Sequence, residues 1–422
     1  MRFWTGIATF FWLLAASGAG AGAAPLTLGE AVARVLERNP QLQAADFDAR
    51  AAAERIRQQS QSTPYNVGLE LENLAGTGEA SGVRGLETTL SLGRVLESGG
   101  KAHRRGEVAR LEAGLLRHEQ DARRLDLLTE TARRFLNLAR VQAERELTEE
   151  RVELMRRTLH AVERRHRVGK AADAERGRAR IALARAELAL EETDHLLLNG
   201  RRDLAVMWGG FPPDFERVGA ELFRLEAEPA FDELDRRLER NPAVARLATA
   251  ERLAEARRLL ARTRARPDVE ARAGVRHLNA SDDVGLVLSL RLPLGSAGRA
   301  VPYEAEAEAL AAREPLLAQD RRLALRAALS GLHQELLHAR DRLEAYRERI
   351  LPTAEAVLDD YGRGYAAGRY SLLELNTAQE SLLEARAEAL SAAADHHGAR
   401  IEIERLIGTA PAGAASPIGV EP

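Results

Sequence analysis

The feature that most constrains this chain is an internal duplication. The pentapeptide Leu-Glu-Arg-Asn-Pro occurs at residues 36–40 and again, unchanged, at residues 238–242, an offset of 202. The tripeptide Leu-Ser-Leu at residues 90–92 recurs at residues 288–290, and weaker matches follow in the same order at offsets of 198 or 199. A single match is noise, whereas an ordered series at a nearly constant offset indicates a tandem duplication.

The duplication predicts how the chain is organised. A length of 422 residues would otherwise favour two or three unrelated domains. We expect instead two copies of one structural unit. The predicted segments are a signal peptide at 1–23, a first repeat at 24–210, a linker at 211–229, a second repeat at 230–409 and a flexible C-terminal tail at 410–422.

Each half is predicted to contain a helix, two strands, a long helix, a turn and a return helix. Residues 101–167 contain no proline and are rich in helix formers, so they predict one helix roughly 100 Å long. Pro40 marks a bend or a turn in the first helix, and Pro352 is expected to kink the second long helix. The predicted helices span about 28–62, 101–167, 173–207, 231–266, 299–365 and 371–408.

Composition excludes several classes of function. Charged residues make up 30% of the chain and aromatic residues 4%, which is typical of long helices and not of a large aromatic core. The absence of cysteine excludes disulfides and thiolate metal sites, and a net charge of −3 gives no basic field for nucleic acid. Arginine clusters such as Arg164–Arg167 are interpreted as a solvated helix face. No enzyme motif, cofactor site or helical zinc pair is found in the sequence, so neither a cofactor nor a bound metal is expected.

The N-terminus is predicted to be an export signal. Arg2 is followed by an apolar run from Phe3 to Ala16 and then by small residues that fit an Ala-x-Ala cleavage site. An uncleaved anchor is the alternative, but the apolar run is short for a span of about 20 residues. Because the sequence has no cysteine, a lipoprotein anchor is excluded.

Four short segments alternate apolar and polar residues with a period of two, at 65–74, 86–92, 269–276 and 284–292. Their length matches transmembrane β-strands of about 9–11 residues. Four strands cannot close around a lumen, so a membrane barrel would need several chains, and three chains would supply twelve strands. The alternative is a small soluble sheet that caps a coiled coil. In a barrel the charged residues of the polar face would line the lumen: Glu70, Glu72, Glu87, Glu270, Arg272, Arg276 and Arg291.

These features together resemble a known family. The signal peptide, the duplicated Leu-Glu-Arg-Asn-Pro, the Ser-Gly-Gly-Lys exit at 98–101 and the Gly-Arg-Tyr-Ser-Leu-Leu-Glu-Leu turn at 368–375 resemble the TolC-type outer membrane factors. The resemblance covers essentially the whole mature chain. The absent lipoprotein cysteine and the Gly-Gly-Lys exit look most like the heavy-metal, cobalt-zinc-cadmium branch.

The resemblance implies a mainly α chain with a transmembrane β portion. Three copies would form a twelve-stranded barrel in outer-membrane lipid, continued by a long α-helical barrel through the periplasm. It implies a passive duct that exports substrate, heavy-metal cations in this branch. The implied partners are a periplasmic adaptor (membrane fusion) protein and an inner-membrane pump of the resistance-nodulation-division class.

The resemblance also implies residue roles at the periplasmic end. The gate positions are Glu175, Tyr365, Glu374 and Thr377, the last standing where the family has a second acid. The turns that would contact the adaptor are Val168, Gly169 and Lys170 in the first hairpin and Gly368, Arg369 and Tyr370 in the second.

Ordinary local roles are the alternative for these residues. The carboxylates of Glu175 and Glu374 would also be stable at a helix start, and the turn glycines would serve as helix caps. The alternative function for the chain is a soluble periplasmic coiled-coil scaffold or adaptor.

Overall fold

The computed structural model describes residues 24–74, 76–78 and 82–411. The predicted signal peptide and nearly all of the predicted C-terminal tail lie outside the described residues. Helices and strands follow in the order that the duplication predicts. Their bounds are α1 Leu28–Arg38, α2 Pro40–Ser60, β1 Tyr65–Glu72, β2 Glu87–Leu96, α3 Lys101–Arg167, α4 Asp173–Val206, α5 Phe231–Leu238, α6 Pro242–Arg262, β3 Val269–Leu278, β4 Asp283–Arg291, α7 Ser296–Ala345, α8 Leu351–Ala366 and α9 Leu372–Leu406.

The four strands form one antiparallel sheet in the order β1-β2-β3-β4. The two hairpins, one from each repeat, are joined where β2 pairs with β3, from Glu87 opposite Leu278 to Leu96 opposite Val269. The outer edges of β1 and β4 therefore have no partner strand within the described chain. The sheet is thus shared between the repeats and is open on both sides.

The helices form a long rod beyond the sheet. The predicted first long helix is confirmed, since α3 runs unbroken for 67 residues. Helices α2 and α6 pack beside α3, as do α4 and α9, and α7 packs against α6 and α9. The largest hydrophobic cluster lies midway along the rod, around Phe135, Leu138, Leu204 and Trp208, and smaller clusters lie toward each end.

The repeated pentapeptide interrupts a helix in both halves, and this corrects the prediction of single helices at 28–62 and 231–266. The chain leaves the helix at Asn39 between α1 and α2, and a short non-helical step ending at Asn241 separates α5 from α6. Each asparagine caps the helix that begins at the following proline. Pro40 was predicted to mark a bend or a turn, but the equivalent break at Pro242 was not predicted.

Each of these asparagines also ties its helix to the end of the return helix of the same repeat. The Asn39 side-chain amide donates to the Met207 carbonyl oxygen at 2.7 Å, and Asn241 donates to the Leu406 carbonyl oxygen at 2.7 Å. Both residues are buried. One side chain therefore satisfies a helix N-terminus and a helix C-terminus at once, and the repeated pentapeptide has the same structural role in both halves.

Pro352 distorts the second long helix, as predicted. A single π-helical turn, Tyr346–Ile350, separates α7 from α8, and the Leu351 N–H donates to the Tyr346 carbonyl five residues back. Proline has no N–H and its ring crowds the carbonyl four residues earlier, so a wider turn relieves both problems. Pro302 and Pro315 lie inside α7 without interrupting it.

The segment between α4 and α5, residues 207–230, contains no helix or strand but is firmly anchored. Val218 exchanges two hydrogen bonds with the Gln142 side chain of α3, of 2.8 and 3.0 Å. The Glu228 carboxylate accepts from Arg340 of α7 and lies 3.2 Å from the Nε2 of His396 of α9. The connection between the repeats is therefore held against three of the long helices.

Burial affects the histidines that hold this segment. His396 is 1% exposed, and the neighbouring His397 lies 2.9 Å from the Leu222 carbonyl oxygen. Exclusion from water lowers the pKa of both rings, although Glu228 opposes this effect at His396. The neutral forms of both rings are therefore favoured in the folded chain.

Among the residues that the structure describes, none of the helices combines the length and the apolar composition that a membrane span requires.

We expect Asn241→Ala to lower the free energy of unfolding by about 2–3 kcal/mol, because it removes a helix cap and leaves buried carbonyls unpaired. Asn39→Ala should have a similar effect. Thr27→Ala is the matched control, since Thr27 caps α1 by an exposed capping box with no second helix attached. The measurement is thermal unfolding of the detergent-solubilised protein by circular dichroism. Equal losses for Asn241→Ala and Thr27→Ala would contradict the bridging role.

Candidate functional site

The two faces of the sheet differ in composition and in exposure. Most apolar residues of the four strands share one face and are largely exposed, with Val67 at 74%, Leu286 at 90% and Leu288 at 75%. The strand register places every predicted lumen residue on the opposite face. A soluble sheet turns its apolar face toward a protein core, and this sheet does not. The geometry therefore disfavours the soluble patch that the sequence left open.

The polar face is organised by ion pairs that cross the strands. Arg276 of β3 contacts Glu72 of β1 and Glu87 of β2, each at 2.7 Å. Glu270 contacts Arg272 at 3.1 Å and Arg291 at 3.4 Å. Glu70 lies on the same face, in register with Thr89. Six of the seven predicted lumen residues are thus brought into two connected clusters, one near each end of the sheet.

The Ser-Gly-Gly-Lys exit from β2 fastens the sheet to the helical rod. The Lys101 ammonium contacts the Asp268 carboxylate at 2.8 Å and donates to the Arg266 carbonyl oxygen at 2.9 Å. The Ser98 hydroxyl donates to the Pro267 carbonyl oxygen at 2.6 Å, and its N–H donates to Asp268 at 3.0 Å. These contacts join the exit of the first repeat to the entrance of β3 in the second. The sequence identified the exit, but not its partner Asp268.

At the opposite end of the rod, the two helical hairpins meet. Val162 of α3, Ala179 of α4, Tyr365 of α8 and the leucines at 372 and 375 of α9 form one small buried cluster. The predicted gate residue Tyr365 lies inside this cluster and is 3% exposed. Burial raises the pKa of its hydroxyl, an effect that the nearby Arg165 cation reduces and Glu175 increases.

Arg165 connects the two hairpins directly. Its guanidinium lies 4.5 Å from the centre of the Tyr365 ring and donates to the Tyr365 carbonyl oxygen. It also donates to the Lys170 carbonyl oxygen at 3.4 Å, so one side chain bridges both turns. A second polar bridge lies further along the rod, where Gln379 of α9 donates to Thr158 of α3 at 2.8 Å.

The contact between Arg165 and Tyr365 corrects the interpretation of Arg164–Arg167 as a uniformly solvated face. Arg165 alone of the four turns inward onto Tyr365, while Arg164 and Arg167 are exposed. The basic run gave no signal that distinguished one arginine from the others. The partner is 200 positions away in the sequence, so only the folded chain identifies it.

The predicted acidic positions have local partners. The Glu374 carboxylate accepts from the N–H and the hydroxyl of Ser371, both at 2.8 Å, and these bonds lower its pKa. The structure thus contains the helix-start role that the sequence allowed for Glu374. Thr377 donates to the Leu373 carbonyl oxygen at 3.0 Å, and Glu175 occupies the first turn of α4.

The two predicted contact turns protrude at the tip. Gly169 and Gly368 have φ of 70° and 80°, in the left-handed region that favours glycine, and nothing lies near either Cα on the side-chain side. Val168, Lys170 and Arg369 are exposed. Tyr370 is only half exposed because its ring packs 4.6 Å from the ring of Tyr361.

In the described part of the chain, no group of three or more histidine, aspartate or glutamate side chains is arranged to hold a metal ion.

The model of the family described as "Outer membrane efflux protein" matches the chain twice, over residues 31–210 and 234–409. The chain belongs to this family. It is 26% identical, over 325 residues, to the cobalt-zinc-cadmium resistance protein CzcC of Cupriavidus metallidurans. That match covers 76% of this chain and 77% of CzcC. This family member is therefore an outer-membrane efflux channel whose helical rod extends into the periplasm.

Solved channels share the fold. The structure matches that of CusC with a TM-score of 0.76 at 17% identity, covering 93% of this chain and 96% of that one. It matches the outer membrane protein VceC of Vibrio cholerae with a TM-score of 0.77 at 19% identity, covering 90% and 96%. At these identities the likeness establishes the architecture only.

We expect Arg165→Met to loosen the periplasmic tip. Methionine keeps the apolar stem but removes the cation over Tyr365 and the donors to two carbonyls. A loss of about 2 kcal/mol would shift a closed-to-open equilibrium roughly 30-fold toward open. Single-channel recording in planar bilayers should show larger or longer openings.

Arg167→Met is the matched control. Arg167 lies two residues from Arg165 and is exposed, so this variant removes the same charge without removing a buried contact. Indistinguishable recordings for the two variants would show that the Arg165 contact does not hold the tip closed.

Proposed function

We propose that the protein acts as a homotrimeric, passive efflux duct for heavy-metal cations, working with a periplasmic adaptor and a resistance-nodulation-division pump of the inner membrane. The observation that carries this proposal is the arrangement of the sheet, which leaves its apolar face exposed and places the ion-paired residues on the opposite face. The membership in the efflux family supports the same function.

Assembly follows from the open sheet edges. In lipid, an edge strand has no water to satisfy its backbone groups, so the free edges of β1 and β4 must pair. Joining β4 of one copy to β1 of the next makes a head-to-tail contact, which closes into a ring. Three copies give twelve strands, enough to enclose a lumen lined by the ion-paired face.

The helical rods offer complementary surfaces for the same contact. Ile181 and Leu188 of α4 are exposed, at 56% and 67%. A groove between α8 and α9 is lined by Ile350, Val357 and Leu373. We place α4 of one copy in this groove of the next, where both apolar surfaces would leave water. The groove also contains Glu374 and Thr377, so these two residues would lie at the junction between copies.

The tip would form the gate. Three copies of the Arg165–Tyr365 contact would hold the hairpins together around the axis, and opening would require these contacts to break. Glu175 would lie beside each contact. Glu374, bound to its own helix cap in each chain, would add fixed negative charge near the constriction, because its lowered pKa keeps it ionised. A ring of ionised carboxylates favours cations over anions.

The turns at residues 168–170 and 368–370 would dock onto the adaptor. Both turns are largely exposed at the tip, and the glycines leave their backbones accessible. Lys170 and Arg369 add exposed positive charge, so the complementary adaptor surface would be acidic.

The similarity to CzcC supports cobalt, zinc and cadmium ions as substrates. Selection of the metal is assigned to the pump.

Deleting the gene in the native organism should lower the tolerated concentrations of cobalt, zinc and cadmium salts, because export beyond the outer membrane would stop. Tolerance of organic antibiotics measured in parallel is the control. Restoration by the intact gene is expected to recover metal tolerance. Loss of antibiotic tolerance with unchanged metal tolerance would overturn the substrate assignment but not the channel.

Amine-reactive crosslinking in cells should link the tip to the adaptor through Lys170. Lys101 and Lys170 are the only lysines in the sequence, and Lys101 is largely buried against Asp268. Lys170→Arg keeps the charge and removes the reactive amine, so the crosslink should disappear. A crosslink that persists in this variant, or that never forms in the intact protein, would contradict docking at this turn.

A further inference from the structure

The apolar face of the sheet carries one permanent charge within its four strands. Arg94 of β2 lies directly opposite Tyr65 of β1, on the same face as Leu90 and Leu92. Its guanidinium stacks 4.8 Å from the centre of the Tyr65 ring and donates to the Tyr65 hydroxyl at 3.3 Å and to the Thr63 carbonyl oxygen at 3.0 Å. It forms no ion pair with any described carboxylate.

The position of Arg94 fixes one boundary of the hydrocarbon layer. An arginine on the lipid face is destabilising by about 2–4 kcal/mol at the bilayer midplane and nearly neutral at the interface. Arg94 is two residues from the end of β2 that leads into α3. The level of Arg94 and Tyr65 is therefore the interface on the periplasmic side, where the rod begins.

A second arginine–tyrosine pair lies at the same end of the sheet, in the other repeat. The Arg264 guanidinium lies 4.1 Å from the centre of the Tyr303 ring, and Tyr303 is 48% exposed. Arg264 comes five residues before β3, and Tyr303 lies in the first turns of α7. Like Arg94, Arg264 has no carboxylate partner among the described residues. Exposed apolar side chains flank this pair at Leu294 and Val301.

A third arginine without an ion pair lies at the same end of the sheet. The Arg299 guanidinium donates to the Leu294 carbonyl oxygen at 3.1 Å and contacts no described carboxylate. Guanidinium groups fit phosphate oxygens through paired hydrogen bonds, and tyrosine rings favour the headgroup level of a membrane.

We propose that Arg94 with Tyr65, and Arg264 with Tyr303, form a binding surface for anionic phospholipids of the periplasmic leaflet. The phosphate of the headgroup sits against the guanidinium groups, and its acyl chains lie along the exposed leucines of the apolar face. The stacked tyrosines hold each guanidinium in place before lipid arrives. This surface anchors the duct at a fixed depth, a role separate from transport and from the gate.

The test uses the full-length protein reconstituted in nanodiscs that contain equal amounts of phosphatidylglycerol and phosphatidylcholine. Lipid that stays bound after release from the nanodisc is measured by native mass spectrometry. We expect retention of phosphatidylglycerol over phosphatidylcholine. Arg94→Gln and Arg264→Gln should each reduce retained phosphatidylglycerol about fivefold, the effect of one basic residue at a membrane surface.

Two further variants separate lipid binding from general loss of charge. Arg94→Lys keeps a cation and should retain most of the lipid, while Arg236→Gln, an exposed arginine on α5, should leave retention unchanged. The same spectra report the number of copies, so a failure of assembly is seen separately.

Three outcomes would overturn the proposal. They are equal retention of both phospholipids, unchanged retention in both glutamine variants, and stronger retention of lipid A than of phosphatidylglycerol when lipid A takes the place of phosphatidylcholine in the nanodisc. If Arg94→Gln does not assemble, Arg264→Gln, which lies outside the strands, still decides the question.

Discussion

The constraint on which the structure depends is the set of unpaired backbone groups along β1 and β4. Water could satisfy these edges, but the exposed apolar face adjoining them favours a hydrocarbon environment, where no water is available. The only arrangement that meets both demands is a closed sheet built from several copies. The uncovered leucines of β4 and the ion pairs of the polar face are consequences of that arrangement. The outer surface of such a barrel is apolar and its interior is polar, which is the reverse of a soluble protein.

The rod meets a different demand, which is to hold a long helix straight with few aromatic residues. Three shorter helices per repeat pack beside each long one. The asparagines at 39 and 241 hold the points where these helices meet, through hydrogen bonds to the ends of the return helices. The asparagine contact occurs in both repeats, so the two halves keep the same structure in this part of the rod. The segment between the repeats, residues 207–230, also binds the rod. It is held by hydrogen bonds to Gln142 of α3 and by the contacts of Glu228 with α7 and α9.

The repeats diverge toward the tip. The first hairpin provides an arginine at 165 and the second provides a tyrosine at 365, so the contact between them exists only because the two copies differ. The π-helical turn before Pro352 also occurs only in the second repeat within the described chain. Such turns are rare and are often found at functional sites. Asymmetry is thus concentrated in the hairpin that carries the proposed gate tyrosine.

Local patterns in the sequence determined the elements of this protein. Period-two alternation placed the four strands and assigned seven charged residues to one face, because strand geometry depends only on neighbouring residues. The proline-free stretch at 101–167 predicted the long helix for the same reason. The helix break at Asn241 was missed, since the helical periodicity of the flanking residues conceals a short interruption.

Only the tertiary structure decided which face of the sheet is left uncovered. Alternation shows that two faces differ, but whether a core covers the apolar one depends on segments far away in the chain. The same holds for Asp268 beneath Lys101 and for Arg165 against Tyr365, where each partner lies in the other repeat. A sequence records the chemistry of each side chain, and contacts between distant residues arise only when folding brings the two repeats together.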